Sequence, residues 1–161
     1  MPELMPVSKG PLRMESEYLN RWEILRGTMS QENEELSRQM LAAFNQRDIG
    51  AFFGYFDPDV EFIALITRME GGDPYRGHGG MQTWWDTITE TFPDFAVEIL
   101  DSRADGHATV AQLRLRGHGA GSSAPIDQTA WSVMKWRNRK ITWLGVFPSE
   151  AEALEAAGLS E

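Results

Sequence analysis

Between Tyr75 and Phe95 the chain carries three devices in succession: a glycine-rich turn, Tyr75-Arg76-Gly77-His78-Gly79-Gly80-Met81; a helical stretch bearing Trp84-Trp85; and a stop, Phe92-Pro93-Asp94-Phe95. Glycine opens backbone angles that bulkier residues avoid. Proline ends a helix because it lacks the N–H and crowds the preceding turn. A helix from about Gly79 to Thr91 is predicted, handing over to a strand from Phe95 to about Asp101. Helix and strand so closely coupled must share a core, since each has one apolar face to bury.

The flanking segments extend this plan. Ser30 is a good N-cap, and Leu36, Met40, Ala43 and Phe44 make one stripe of a first helix running to about Arg47. Asp48 should cap a short second helix carrying Ile49, Phe52, Phe53 and Phe56, and Asp57-Pro58-Asp59 reads as a turn. Val60 to Ile66 reads as a strand with a partner near Thr67 to Tyr75. Asp105-Gly106 marks a hairpin, and Thr109–Arg116, Gln128–Arg137 and Ile141–Phe147 complete the sheet. Ser149 should cap a last helix, Glu150 to Ala157, that Gly158 ends. The expected class is α+β: a cone-shaped, curved, mostly antiparallel sheet packed against N-terminal and central helices. Its concave side is the natural place for a pocket.

Of 161 residues, 42% are apolar, with six tryptophans and eight phenylalanines, as a folded domain with a sizeable core requires. Residues 29–161 form the expected domain. Residues 1–28 read as an extension, poorly ordered or partly helical where Tyr18, Trp22 and Leu25 recur at helical spacing. Met29 could itself be a start. A net charge of −9 argues against a nucleic-acid partner, because a polyanion needs a positive surface. The basic hairpin Lys135 to Lys140 is too small to alter this. The absence of cysteine excludes disulfides and thiolate chemistry. Without an apolar run of spanning length or a secretory core, no membrane partner is expected and a cytoplasmic location is the default.

The segment from Tyr75 to Phe95, together with Ala43-Phe44-Asn45-Gln46-Arg47-Asp48, Asp57-Pro58-Asp59-Val60-Glu61-Phe62 and the closing Ala151 to Leu159, resembles the SnoaL-like family of the nuclear transport factor 2-like (ketosteroid isomerase-like) superfamily. The resemblance spans roughly Met29 to Leu159. It implies a cone-shaped domain, pairing as a homodimer through the sheet, and a pocket for a small hydrophobic molecule. Activities in the superfamily include polyketide ring closure, steroid isomerisation, dehydration and epoxide hydrolysis; other members bind ligands or act as adaptors. Aligning the Lys135–Ile141 hairpin with that of the SnoaL-type cyclases places Ser132 where they carry an acid. The turn Gly117-His118-Gly119-Ala120-Gly121 puts His118 one position from their histidine. A serine hydroxyl cannot act as a general base near neutral pH without an activating partner.

Two residues are therefore candidates for acid–base catalysis. Asp127 begins the strand that carries Ser132, and His78 precedes the central helix, where N–H groups and the helix dipole favour an anion. The plainer readings are a solvated strand-end aspartate and a loop histidine. With Ser132 at the acid slot that the resemblance implies, strand alternation puts Gln128, Ala130, Ser132 and Met134 on the concave face, and Thr129, Trp131 and Val133 on the opposite face, which would serve a dimer. Tyr55, Trp84, Trp85, Gln128, Ser132 and Met134 are the candidate ligand-binding residues. Trp84 and Trp85 are adjacent on a helix and must diverge. No cofactor is expected, and the three histidines lack a ligand spacing for a metal. The sequence supports either a cofactor-independent isomerase, dehydratase or cyclase, or a ligand-binding protein or adaptor without chemistry.

Overall fold

A computed structural model describes residues 30–122 and 124–159. The expected leader helix around Tyr18, Trp22 and Leu25 lies outside them, and Ser30, expected to cap the first helix, is already helical. That helix, α1, spans residues 30–45 and buries its predicted stripe, Leu36, Met40, Ala43 and Phe44. It ends two residues earlier than expected because Arg47 turns to φ 60°. Helix α2, Ile49–Phe53, has the predicted cap, with the Ala51 N–H donating to the Asp48 carboxylate at 3.2 Å, but it stops before Phe56, which was expected on it and instead opens the next strand.

The next segment departs from expectation. Strand β1 runs Phe56–Ile63 straight through Asp57-Pro58-Asp59, which forms an irregularity inside the strand rather than a turn before it. Proline has no N–H to give a ladder, so it falls where the pairing register shifts, between Phe56 and Glu61. Beyond Ile63 the expected strand and its partner give way to a short helix, α3, Leu65–Glu70, and a two-residue strand β2, Tyr75–Arg76. Leu65, Ile66 and Met69 share a helical face there, a period too short-lived to show against the strand-like run before it.

Helix α4, Gly77–Thr91, starts two residues earlier than predicted. Gly77 takes φ 68°, and Gly80 packs so closely on Tyr75 that an added Cβ would lie 3.0 Å from its backbone carbon. Strands β3 (Ala96–Asp105), β4 (Ala108–His118), β5 (Pro125–Arg137) and β6 (Lys140–Phe147) follow, all longer than their predicted cores. Gly106, at φ 62°, serves the predicted β3–β4 hairpin. At the β5–β6 turn Asn138 and Arg139 both have positive φ, the two-residue geometry whose twist suits a hairpin. Helix α5, Glu150–Ala157, has the predicted ends: Ser149 accepts from the Glu152 N–H, and Gly158 closes the helix in the left-handed region.

The six strands form one curved, unclosed sheet in the order β2-β1-β6-β5-β4-β3. Every neighbouring pair is antiparallel except β1 with β6. The concave side holds the main core against α1, α2 and α4, centred on Phe44. Its ring lies 5.2 Å from Trp85, 5.4 Å from Trp84, 5.7 Å from Phe52 and 6.0 Å from Phe95, centroid to centroid. Asn45 ties α1 to β3 by donating to the Val97 carbonyl at 2.9 Å and accepting from its N–H at 3.0 Å. Arg47 donates to the Pro93 and Phe95 carbonyls at 2.8 and 2.9 Å. On the convex side Val110, Val133 and Phe147 pack beneath Ala153 of α5, with Trp131 partly buried beside them. Part of the face expected to serve a dimer is thus covered by the chain's own last helix.

Candidate functional site

The sheet curves away from the helices and leaves an apolar cavity of about 430 Å³ between them. Helix α1 contributes Met40 and its neighbour Leu41, with Phe44 one helical turn on, and α4 contributes Met81, Trp84 and Ile88, each about one turn from the last. The floor is the concave face of β4, β5 and β6: Leu113 and Leu115, then Gln128, Ser132 and Met134, then Leu144 and Val146. Each set alternates with residues that face outward, as a pleated strand dictates. Ile66 and Met69 of α3 also line the space while remaining 52% and 68% exposed, so α3 stands where the cavity meets solvent.

Among the described residues no lining side chain is titratable. Gln128 and Ser132 supply the polar amide and hydroxyl, and Trp84 adds an indole. Gln128 is exposed near one end of β5, whereas Ser132 is 1% exposed and its Oγ has no hydrogen-bond partner among the described residues. Arg68 of α3 leans to the convex side, its guanidinium 3.7 Å from the Phe147 ring centre. Burial lowers its pKa, opposed by the Glu152 charge.

The structure gathers Trp84, Gln128, Ser132 and Met134 on the cavity wall and places the other candidates elsewhere. Trp85 is buried against Phe44, Phe52 and Phe53. The Tyr55 hydroxyl donates to Gln39 at 3.3 Å, outside the cavity lining. Asp127 lies on the exposed surface, held by Arg114, whose Nε and second guanidinium nitrogen donate to its two oxygens at 2.9 and 2.8 Å. Those bonds hold its carboxyl below the usual carboxylate range. His78 donates from Nε2 to the Phe56 carbonyl at 3.0 Å and stacks on Phe53. Neither residue lines the cavity. His118 is paired with Asp94 at 2.8 Å on the surface, where its hydrogen bond lowers the Asp94 pKa.

Several wall residues had local signals that pointed only to core: Met40 and Phe44 in the α1 stripe, Leu113 and Leu115 in β4. Periodicity tells which face is apolar, not whether the space beyond it is filled. The basic hairpin is compensated locally, Arg137 by Asp57 at 3.4 Å and Arg139 by Glu32. Among the described residues no group of three or more His, Cys, Asp or Glu is placed to hold a metal ion, and no helix is long and apolar enough to cross a membrane.

The family model for the SnoaL-like domain matches residues 37–144. No curated protein matches the sequence. Similar solved structures include an NTF2-like protein of unknown function from Burkholderia pseudomallei, 16% identical, covering 77% of this chain and 95% of its own, with a TM-score of 0.66. A hypothetical protein with a ketosteroid isomerase-like fold from Catenulispora acidiphila, crystallised with trimethylamine, is 18% identical over 78% of this chain and 93% of its own, with a TM-score of 0.63. TerC, co-crystallised with polyporic acid, is 17% identical over 79% of this chain and 98% of its own, with a TM-score of 0.65. At these identities the likeness is one of fold. With the family match spanning most of the chain and the curved sheet wrapped on its helices, the protein belongs to the SnoaL-like family, with the NTF2-like, ketosteroid isomerase-like fold.

Proposed function

We propose that the protein binds a small, uncharged, largely apolar molecule in the cavity between α1, α4 and the sheet, without acid–base chemistry by its own side chains. The observation that carries this reading is the wall itself: about 430 Å³ of space lined, among the described residues, by aliphatic, aromatic and methionine side chains with Gln128 and Ser132 and no titratable group. The volume is within the range of small-molecule pockets, roughly 300–1,000 Å³. General acid–base catalysis requires a proton donor or acceptor within hydrogen-bond reach of the reacting atom. Asp127 and His78, the candidates for that role, are engaged by Arg114 and by the Phe56 carbonyl outside the cavity lining. The co-crystallisation of TerC with polyporic acid supports the reading only in pairing a small molecule with a protein of this fold.

The proposal includes a cytoplasmic homodimer pairing through the part of the convex face that α5 leaves uncovered, where Arg114, Arg116, Asp127 and Thr129 are solvent-accessible. Sedimentation at several concentrations tests the dimer.

Titration with N-phenyl-1-naphthylamine, a neutral apolar fluorophore, tests the cavity. Wild-type protein should bind it with enhanced emission, and Val146→Trp, which fills the wall, should abolish the signal. Asp127→Asn and His78→Ala should bind as wild type. A wild-type protein that does not bind, or a Val146→Trp variant that binds equally well, sinks the proposal.

A further inference from the structure

Ser132 is out of place on this wall. It sits in the middle of β5, between Ala111 on β4 and Val146 on β6, so its cross-strand neighbours offer no polar side chain. The adjoining backbone groups are committed to the ladders on both sides. Its residue is 1% exposed and its Oγ is without a partner among the described residues. The other buried hydroxyls with described bonds are satisfied: Ser37 donates to the Asn33 carbonyl at 2.9 Å, and Thr109 accepts from the Trp136 indole at 3.1 Å. A buried hydroxyl with no partner is unfavourable, and alanine would occupy the same site without that loss. Something that enters the cavity can supply the missing partner.

Resting on the apolar-ligand reading of the cavity, we infer that Ser132 hydrogen-bonds an uncharged oxygen, a carbonyl or hydroxyl, at the buried end of the ligand. The hydroxyl both donates and accepts, so either oxygen type satisfies it. A carboxylate or phosphate is disfavoured there, because the described residues of the wall include no cation and a desolvated anion without one is costly. Gln128 stands four residues back on the same face of β5, about 13 Å along the strand. The ligand's apolar body therefore runs from its oxygen at Ser132 toward the exposed end near Gln128. The class is a neutral, ring-built or long-chain ketone or alcohol whose polar end enters first.

The matched probes are 9-fluorenone and fluorene, identical skeletons with and without the carbonyl. Binding is measured by calorimetry for wild type and Ser132→Ala, with the carbonyl stretch of bound fluorenone read by infrared difference spectroscopy. Ser132→Ala should weaken fluorenone about 3- to 10-fold, the usual worth of one neutral hydrogen bond, and leave fluorene unchanged. The stretch should lie at lower frequency in wild type than in the variant. If both probes bind the wild type but Ser132→Ala affects them equally or not at all, or the stretch does not move, the anchor is wrong while the cavity reading stands. That result is also the one expected if Ser132 merely holds a water. If neither probe binds the wild type, both readings fail.

Discussion

Two buried hydroxyls in neighbouring strands should respond to deletion with opposite signs. In the ligand-free protein Ser132 Oγ has no partner among the described residues, whereas Thr109 Oγ1 accepts from the indole N–H of Trp136, itself 4% exposed. An unsatisfied buried polar group costs about 1–3 kcal/mol. Ser132→Ala removes the group that bears that cost and takes away no hydrogen bond. We expect a gain of about 1 kcal/mol, or roughly 2–4 °C in Tm for a domain of this size. Thr109→Val preserves the shape of the side chain but orphans the Trp136 donor, so the same rule predicts a loss of about 1–3 kcal/mol. Urea denaturation followed by circular dichroism, with Tm measured in parallel, gives both values; unchanged m-values would confirm that only stability moved. A Ser132→Ala variant that loses stability as Thr109→Val does would show that the serine is satisfied in solution, refuting the reasoning.

Other substitutions probe the frame around the site. Phe44→Ala removes the ring on which Phe52, Trp84, Trp85 and Phe95 converge and should cost about 3–5 kcal/mol in denaturant unfolding. Within one glycine motif, Gly79→Ala should stabilise by up to about 1 kcal/mol, since a Cβ there meets nothing within 4 Å and alanine is the better helix former. Gly80→Ala should destabilise, because its Cβ would meet the Tyr75 backbone at 3.0 Å; thermal melts of the pair separate the two. Asp127, held down by its hydrogen bonds to Arg114, and Asp94, held down first by the His118 side chain, have pKa values below those of the unfolded chain. Their contribution to stability is therefore present above the unfolded carboxylate pKa of about 3.9 and is lost as pH falls through and below it. Asp127→Asn should flatten that acid limb in stability measured against pH; an unchanged limb would count against the ion pair.

Much of the architecture was legible because its signals are local. Asp48, Ser149 and Gly158 mark helix ends by chemistry confined to one turn, and each is found in its predicted role. The alternation along β5 correctly put Gln128, Ser132 and Met134 on one face, since a strand without a bulge there keeps period two. Misreadings fell where a local signal competed with a distant partner. Asp57-Pro58-Asp59 has turn chemistry, yet pairing of the flanking residues with β2 and β6 draws it into a strand as an irregularity. Leu65 to Glu70 looks like a continuing strand, yet it folds as α3, and on that side of β1 only Tyr75–Arg76 pairs with it.

The amino-acid pattern by itself determined the α+β class and which faces are apolar, because periodicity, caps and turn residues act over a few positions; the family showed in the resemblance of its motifs and their order. Tertiary structure alone decided what those faces enclose. Only in the fold does Arg114 claim Asp127 across two strands, the Phe56 carbonyl claim His78, and Asn45 lock onto Val97. It is the fold, too, that leaves a space beneath the sheet and a serine in it without a partner. Burial and hydrogen-bond satisfaction are properties of segments far apart in the chain, and no window of sequence contains both halves of the bond.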